Sequence, residues 1–216
     1  MAASTEIEIK LACGAHHARA LLKHPALSHP APDARPFRHK LVNIYFDTEE
    51  FDLRRRKMAL RLRRQGQQWL QTLKASGERD NGVAIRREWE MPVAGQALEL
   101  RRLRDTPITE ALDEIGDPDL LQPIFRAEFV REAWTVRPFP RYAPDFIAEI
   151  AFDNGHILAG ERVDRISEIE IELKAGHQRE LEYLAHLLMR DLKIKPEPRS
   201  KAKRGYAMLK GEMVAA

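Results

Sequence analysis

The chain has 216 residues, of which 44% are hydrophobic and 32% are charged, and its formal net charge is +3. This length is enough for one large domain with a substantial core, and the small net charge argues against a polycation that binds nucleic acid. The sequence contains a single cysteine, Cys13, no run of about 18 apolar residues and no amino-terminal signal peptide. These features predict a cytoplasmic protein that has no membrane partner.

The first predicted strand, residues 5–12, alternates charged and apolar side chains. Glu6, Glu8 and Lys10 share one face and isoleucines occupy the other, which is the two-residue period of a strand with unlike faces. The elements that follow are a helix over 15–23, a loop over 24–36, a strand over 41–47 and a helix over 49–56. The loop is rich in histidine, but its spacing does not match that of metal ligands.

The middle of the chain predicts strands whose charges are sorted by sign. These strands cover residues 58–64, 68–75 and 85–93, with a turn at 65–67 and a loop at 76–83. Arg61 and Arg63 share one face of the first strand, and Lys74 lies on the second. Glu88 and Glu90 share a face of the third. The opposite faces are largely apolar and need a partner to bury them.

The second half of the chain adds more strands and two helices. We predict short helical pieces over 96–122, a strand over 124–137, a proline-rich turn over 138–144 and a strand over 146–153. The sequence Asp153-Asn154-Gly155 is a hairpin signal, which predicts that the chain reverses there. Returning segments over 156–158 and 162–174, a helix over 177–193 and a second helix over 200–211 complete the prediction.

The stretch from Glu168 to Lys174 is the strongest alternating segment in the sequence. Glu168, Glu170 and Glu172 share one strand face, where like charges lie only about 6–7 Å apart. Their repulsion has a cost that a bound cation would remove. Because the first strand has a similar pattern at the other end of the chain, we predict one site built from both segments.

About eight alternating strands predict one antiparallel closed sheet with helices outside it. Its interior would then be charged, unlike that of most small barrels. A linear anion would satisfy the arginines and lysines, and divalent metal ions would satisfy the glutamates. Oxygen ligands without cysteine or histidine favour Mg²⁺ or Mn²⁺. The charge pattern therefore predicts a site for an oligophosphate with a metal ion.

Several motifs occur in the order found in one known family. They are Glu6-x-Glu8-x-Lys10, Asn43 to Thr48, Ala59 to Arg63, Thr72 to Lys74, Arg86 to Glu90, Phe152 to Gly155, Glu168 to Lys174 and Ser200 to Tyr206. Together they resemble the CYTH superfamily of triphosphate tunnel metalloenzymes, and the resemblance covers nearly the whole chain, residues 1–212. It implies an α+β fold, in which an eight-stranded antiparallel closed β-barrel is surrounded by helices and closed by a carboxy-terminal plug helix.

The resemblance also implies site residues. Those expected to hold phosphates are Lys10, Arg61, Arg63, Lys74, Arg131 and Lys201. Those expected to hold metal are Glu6, Glu8, Glu170 and Glu172, with Glu168, Asp153, Glu88 and Glu90 as further candidates. Lys10, Glu6, Glu8, Glu170 and Glu172 are the expected catalytic residues. Arg126 and Arg131 differ in parity along their strand, so only one of them can face inward unless a bulge intervenes; we choose Arg131.

The resemblance is closest to bacterial inorganic triphosphatases, which carry this domain ahead of a helical phosphate-binding CHAD domain. The implied reaction is metal-dependent hydrolysis of inorganic triphosphate to pyrophosphate and phosphate. Two enzymatic alternatives remain open: hydrolysis of thiamine triphosphate and cyclisation of ATP. A non-catalytic polyphosphate-binding module is the third alternative, although a pure anion binder could dispense with the acidic strands. Aromatic residues do not interleave with the basic ones, which disfavours a nucleic-acid platform.

Overall fold

The computed structural model describes residues 3–14, 16–31, 37–75, 77, 79–80 and 82–211. Residue 15 of the first predicted helix, parts of the predicted loops over 24–36 and 76–83, and the ends of the predicted domain lie outside the described residues. Ten strands are present: β1 (Ser4–Ala12), β2 (Phe37–Asp47), β3 (Met58–Gln65), β4 (Gln68–Ala75), β5 (Arg79–Asp80), β6 (Val83–Val93), β7 (Gln122–Val136), β8 (Ile147–Ala159), β9 (Arg162–Ala175) and β10 (Lys195–Pro196).

Eight of these strands form a closed antiparallel ring. The order around the ring is β1-β9-β8-β7-β2-β3-β4-β6, and pairing of β6 with β1 closes it. The two-residue strands β5 and β10 pair with β6 and β1 outside the ring. The predicted eight-stranded antiparallel barrel is therefore confirmed.

Five helices accompany the barrel in the described part of the chain. They are α1 (His17–Leu22), α2 (Asp52–Arg55), α3 (Ile108–Ile115), α4 (Gln178–Leu192) and α5 (Lys201–Leu209). Ser200 is the N-cap residue of helix α5, and its side-chain oxygen accepts a hydrogen bond from the backbone N–H of Lys203 at 3.1 Å. Within the described residues, no helix combines the length and the apolar character needed to cross a bilayer.

Most of the apolar core lies between the outer faces of the strands and the helices. Ile9 and Ile171 of the acidic strands pack with Leu184 of α4 in one buried cluster. Leu60 and Leu73 belong to a second buried cluster, which includes residues of α2 and α3. Burying these faces outside the ring directs the alternate, charged side chains inward.

Part of the barrel interior is apolar, which the charge pattern did not predict. Tyr45 of β2 and Phe125 and Phe129 of β7 form a buried cluster with Tyr206 and Met208 of α5. The ring of Phe125 stacks on Tyr45 at a centroid distance of 4.5 Å. Helix α5 therefore fills part of the interior through apolar contacts, and the charged site occupies the rest.

The predicted reversal at Asp153-Asn154-Gly155 is wrong. Strand β8 continues through these residues, pairs on both sides with β7 and β9, and ends at Ala159. The chain reverses at Gly160 and Glu161, where Gly160 adopts a φ of 58° that favours glycine. Gly155 instead allows β8 to pack closely against β7, because a Cβ atom there would lie 2.1 Å from the carbonyl oxygen of Glu128.

Substitution of Gly155 with alanine is expected to destabilise the fold by about 1–3 kcal/mol or more, because the added methyl group would overlap the backbone of β7. Urea unfolding measures this change in the free energy of unfolding. Gly95→Ala is a matched control, since a Cβ atom there meets no neighbour within 4 Å. Equal stability of the two variants would contradict the close contact between β7 and β8.

Candidate active site

A cavity of about 850 Å³ lies inside the barrel and is lined by side chains from the strands, α2 and α5. Basic side chains outnumber acidic ones among the described lining residues, eleven to seven. A water-filled cavity with this imbalance attracts anions, because its field adds over many side chains. The cavity is the candidate site.

The two acidic strands meet in this cavity as neighbours. Strand β1 pairs with β9, and the register places Lys10 opposite Glu170 and Glu8 opposite Glu172. Lys10 forms ion pairs with both Glu170 and Glu8, the latter at 3.3 Å. The structure thus brings together the segments that the sequence analysis combined into one site.

Lys201 of α5 lies at the centre of three buried carboxylates. Its ammonium group donates hydrogen bonds to Asp153 at 2.6 Å, to Glu168 and to Glu170 at 2.9 Å. Burial alone would lower the pKa of Lys201, but its carboxylate partners outweigh burial and raise it. Among the described residues, these three acids form a group whose oxygen atoms lie within 4.8 Å of one another. The ammonium therefore occupies the place that a bound cation would take.

Arg131 adds a second cation to the same group. Its guanidinium donates two parallel hydrogen bonds of 2.7 Å to Asp153 and a further bond to Glu170. Burial disfavours the charge, but the two carboxylates raise the pKa of Arg131 well above its ordinary value. Arg126 points outward and pairs with Glu128 at 3.1 Å. The strand parity therefore identified the inward-facing arginine correctly.

A second ion-pair group joins β1, β4 and β6. Lys74 donates to the two carboxylate oxygens of Glu6 at 2.7 and 2.8 Å, and lies 3.2 Å from Glu88. Arg86 contacts Glu6 at 3.3 Å and also pairs with Glu8. Burial would raise the pKa of Glu6, but nearby cations, Lys74 first, lower it to about 2. Glu6 is therefore ionised at neutral pH.

The arginines of β3 differ from each other. Arg61 lies 3.5 Å from Glu88 and 3.7 Å from Glu90. Arg63 has no ion pair with any described side chain, and its guanidinium donates a hydrogen bond to Asn43 at 2.8 Å. Burial, followed by the charges of Arg61 and Arg131, lowers the pKa of Arg63 to about 10. Among the described side chains, this cation has no carboxylate within salt-bridge distance.

Six charged residues that line the cavity were missing from the predicted site residues: Arg54, Lys57, Arg86, Glu149, Lys174 and Lys203. Arg86 shares a strand face with Glu88 and Glu90, and this parity could have identified it. Glu149 of β8 also lines the cavity, and the register places it opposite Glu172. It lies four residues before Asp153, so the alternation of β8 was the available signal. Burial raises the pKa of Glu172, and the charge of Glu149 contributes in the same direction.

The donor set of the cavity fits a hard divalent cation. The described lining residues include carboxylates but no histidine or cysteine. Carboxylate oxygens are the ligands that Mg²⁺ and Mn²⁺ prefer. Asp153 and Glu168 are already neutralised by Lys201, Arg131 and Arg204, and the Arg204–Glu168 distance is 3.1 Å. Neither of these two acids is among the residues that line the cavity, so a metal ion fits better among the carboxylates that do.

The structure is a closed antiparallel barrel with rows of oppositely charged side chains inside it. The chain belongs to the CYTH domain family, whose family profile matches residues 4–206. It is 35% identical over 173 residues to the inorganic triphosphatase of Haemophilus influenzae, and the match covers 78% of this chain and 46% of that protein. The chain thus spans about half the length of this relative.

Solved structures share the fold at lower sequence identity. HpAC1 from Hippeastrum, studied as an adenylyl cyclase candidate and described as having a dominant triphosphatase activity, superposes with a TM-score of 0.60 at 20% identity, covering 97% of both chains. A protein from Pyrococcus horikoshii OT3 gives a TM-score of 0.58 at 18% identity, covering 94% of this chain and 99% of the other. At these identities the likeness supports the barrel architecture alone.

Proposed function

We propose that this chain hydrolyses inorganic triphosphate to pyrophosphate and orthophosphate with the help of Mg²⁺ or Mn²⁺. The observation that carries the proposal is Arg63, a half-buried cation in a basic cavity, which forms no ion pair with a carboxylate among the described side chains. Rows of carboxylates in the same cavity provide for a metal ion. The name of the Haemophilus influenzae relative supports the choice of triphosphate.

The basic side chains have the role of binding and orienting the phosphates. The proposed residues are Lys10, Arg61, Arg63, Lys74, Arg131 and Lys201. All except Arg63 are already paired with carboxylates, so their side chains are held in place before the anion enters. Such preorganisation lets charge neutralisation and positioning contribute most of the catalysis, as phosphoryl transfer requires.

The acidic side chains have the role of holding the metal. Glu6, Glu8, Glu170 and Glu172 are the proposed ligands, and Glu168 and Asp153 are secondary because neither is among the residues that line the cavity. When bound, the metal would supply a Lewis acid for phosphate oxygens and lower the pKa of a coordinated water. Anion and metal complement each other, because each neutralises side chains that the other leaves charged.

An organic triphosphate is the second candidate substrate. Phe37, Tyr45 and Phe129 line the same cavity as Arg63, so an apolar surface is available to an adenosine or thiamine group. Thiamine triphosphate hydrolysis and cyclisation of ATP are the corresponding reactions. Non-catalytic binding of polyphosphate is disfavoured, because such a module would gain nothing from the two acidic strands.

One assay tests these functions together. Purified protein is offered triphosphate, ATP and thiamine triphosphate with Mg²⁺, Mn²⁺ or a chelator, and phosphate, pyrophosphate and cyclic AMP are measured. We expect metal-dependent release of pyrophosphate and phosphate from triphosphate, at a higher rate than from the organic substrates. Preferred turnover of ATP or thiamine triphosphate would contradict the proposed substrate, and binding without turnover under all metals would contradict catalysis.

Arg63→Gln is expected to lower the stability of the ligand-free fold by only about 0.5–1.5 kcal/mol, because the guanidinium gives up one hydrogen bond, to Asn43, and no ion pair with a described side chain. The same substitution should reduce the stabilisation that triphosphate gives to metal-free protein by about 1.5–3 kcal/mol, the range for hydrogen bonds to charged groups. Urea unfolding in chelator, with and without triphosphate, measures both effects. Arg126→Gln is the matched control on the outer face. A large loss of ligand-free stability with an unchanged response to triphosphate would contradict the anion-binding role.

Residues 1–212 are proposed to form a single tunnel domain in a cytoplasmic protein. The single cysteine is compatible with a reducing compartment. A CHAD domain is a proposed partner by similarity to triphosphatases that contain one. Fractionation of cells with an antibody to this chain tests the location, and a membrane or secreted fraction would contradict it.

A further inference from the structure

A second group of basic residues lines the cavity apart from the phosphate-binding set. Arg54 is on α2, Lys57 follows this helix, and Lys203 is on α5. We propose that these three residues, the α2–α5 cluster, bind a phosphate group beyond the third one, so that the site accepts linear chains of four or more phosphates. This inference rests on the proposed function, which it deepens by naming a longer substrate.

The first argument is that the α2–α5 cluster is not neutralised by the described protein. None of the three side chains has a carboxylate within 4.0 Å among the described residues, whereas Lys10, Lys74 and Arg131 are all paired. In addition, Nη1 of Arg54 is buried and has no hydrogen-bond partner among the described groups. Leaving a buried guanidinium N–H without an acceptor raises the free energy of the folded state, and an anionic oxygen bound there would remove this penalty.

The second argument is that Arg54 is held in place beside the helix that carries Lys203. The guanidinium carbon of Arg54 lies 5.0 Å from the centroid of the Tyr206 ring. Tyr206 donates a hydrogen bond of 2.6 Å to Asp47, which also accepts from the backbone N–H of Arg54 at 3.0 Å. Lys203 precedes Tyr206 by three residues on α5, so the two share a helix face. Helices α5 and α2 therefore present their cations to the same cavity.

The third argument is the size of the cavity. A volume of about 850 Å³ is near the upper end of the range for sites that enclose whole small molecules. Three phosphate groups are smaller than such a ligand, so space and positive charge remain after triphosphate has bound. Each added phosphate brings further negative charge, and the guanidinium of Arg54 can bind two of its oxygens side by side.

The test compares inorganic triphosphate (tripolyphosphate) with its four-phosphate homologue, tetrapolyphosphate, as substrates of the full chain. The main variant is Lys57→Gln combined with Lys203→Gln, because both side chains are exposed and folding should not suffer. We expect KM for tetrapolyphosphate to rise about tenfold or more, from the loss of charge-assisted contacts, while KM for tripolyphosphate changes by less than about threefold. Lys195→Gln with Lys210→Gln, two exposed lysines outside the cavity, controls for net charge and should change neither KM.

Equal changes in both KM values, or no change in either, would overturn the proposal. Orthophosphate inhibition separates a fourth chain phosphate from a free phosphate ion. If orthophosphate inhibits tripolyphosphate turnover in wild type but not in the double variant, the cluster holds a separate ion and the longer substrate is overturned.

If neither polyphosphate is hydrolysed, the proposed function fails, but calorimetry in chelator still decides the subsite. Tighter binding of tetrapolyphosphate than of tripolyphosphate, lost in the double variant, supports it, and equal binding overturns it.

Discussion

The variant that combines Glu6→Gln and Glu8→Gln is expected to lose at least about a hundredfold in triphosphate turnover, the range seen when a preorganised electrostatic group is removed. Glutamine keeps the size of glutamate and one acceptor oxygen, but it replaces the other oxygen with an NH2 donor and loses the negative charge that a divalent metal needs. The loss leaves Lys74 and Arg86 less neutralised. We therefore expect binding of triphosphate in chelator to be unchanged or tighter, although turnover is lost.

Steady-state kinetics with Mn²⁺ and calorimetry in chelator measure these two effects separately. Glu110→Gln with Glu161→Gln, two exposed acids, is the charge-matched control and should keep full turnover. Normal turnover in the Glu6 and Glu8 variant would show that the metal assignment is wrong.

Acid unfolding adds a second readout, because the pKa of Glu6 is lowered from 4.5 to about 2. Stability from ionised Glu6 is present above pH 4.5, is lost as pH falls towards 2, and should be absent in the variant.

Lys201→Met is expected to destabilise the fold by about 3–5 kcal/mol, the cost of removing one partner from a buried ion-pair group. Lys201 is only 5% exposed. Its ammonium group donates to three carboxylates, which would keep their charge without it. Urea unfolding at neutral pH measures the loss. Adding Glu168→Gln to this variant should recover part of the stability, because it removes one of the three carboxylates that have lost the ammonium group and leaves Asp164 as the carboxylate partner of Arg204.

Lys210→Met is the matched control for Lys201→Met, since Lys210 is exposed at the end of the same helix. It should change the free energy of unfolding by less than about 0.5 kcal/mol, as surface substitutions usually do. If Lys201→Met were as mild as this control, the ammonium could not be the main link between the plug helix and the acids of β8 and β9.

The sequence alone predicted the barrel and much of its charged wall. Strict alternation at Glu6 to Lys10 and at Glu168 to Lys174 determines which side chains share a face, and closure of the sheet then places these faces inside. The same parity rule showed that only one of Arg126 and Arg131 could face inward, and the choice of Arg131 is confirmed. Such rules work because the period of a strand is fixed by its backbone.

Features that depend on contacts between distant residues were missed. Asn154-Gly155 has the composition of a turn, but pairing with β7 and β9 on both sides outweighs that local preference. Lys201 was predicted to hold phosphates, and its hydrogen bonds to three carboxylates were not predicted because they depend on how α5 packs against β8 and β9. The apolar part of the interior around Phe129 also depends on how α5 enters the barrel.

The central claim is that the charged cavity inside the barrel holds triphosphate and metal together. A crystal structure of the Glu6 and Glu8 variant in chelator with triphosphate, compared with a wild-type crystal soaked in Mn²⁺ and triphosphate, tests it most directly. We predict phosphate density beside Arg61, Arg63 and Lys74 in both crystals, and anomalous Mn²⁺ signal beside the glutamates of β1 and β9 in the wild type alone. Triphosphate bound on the outer surface, with only water between these arginines and glutamates, would contradict the account.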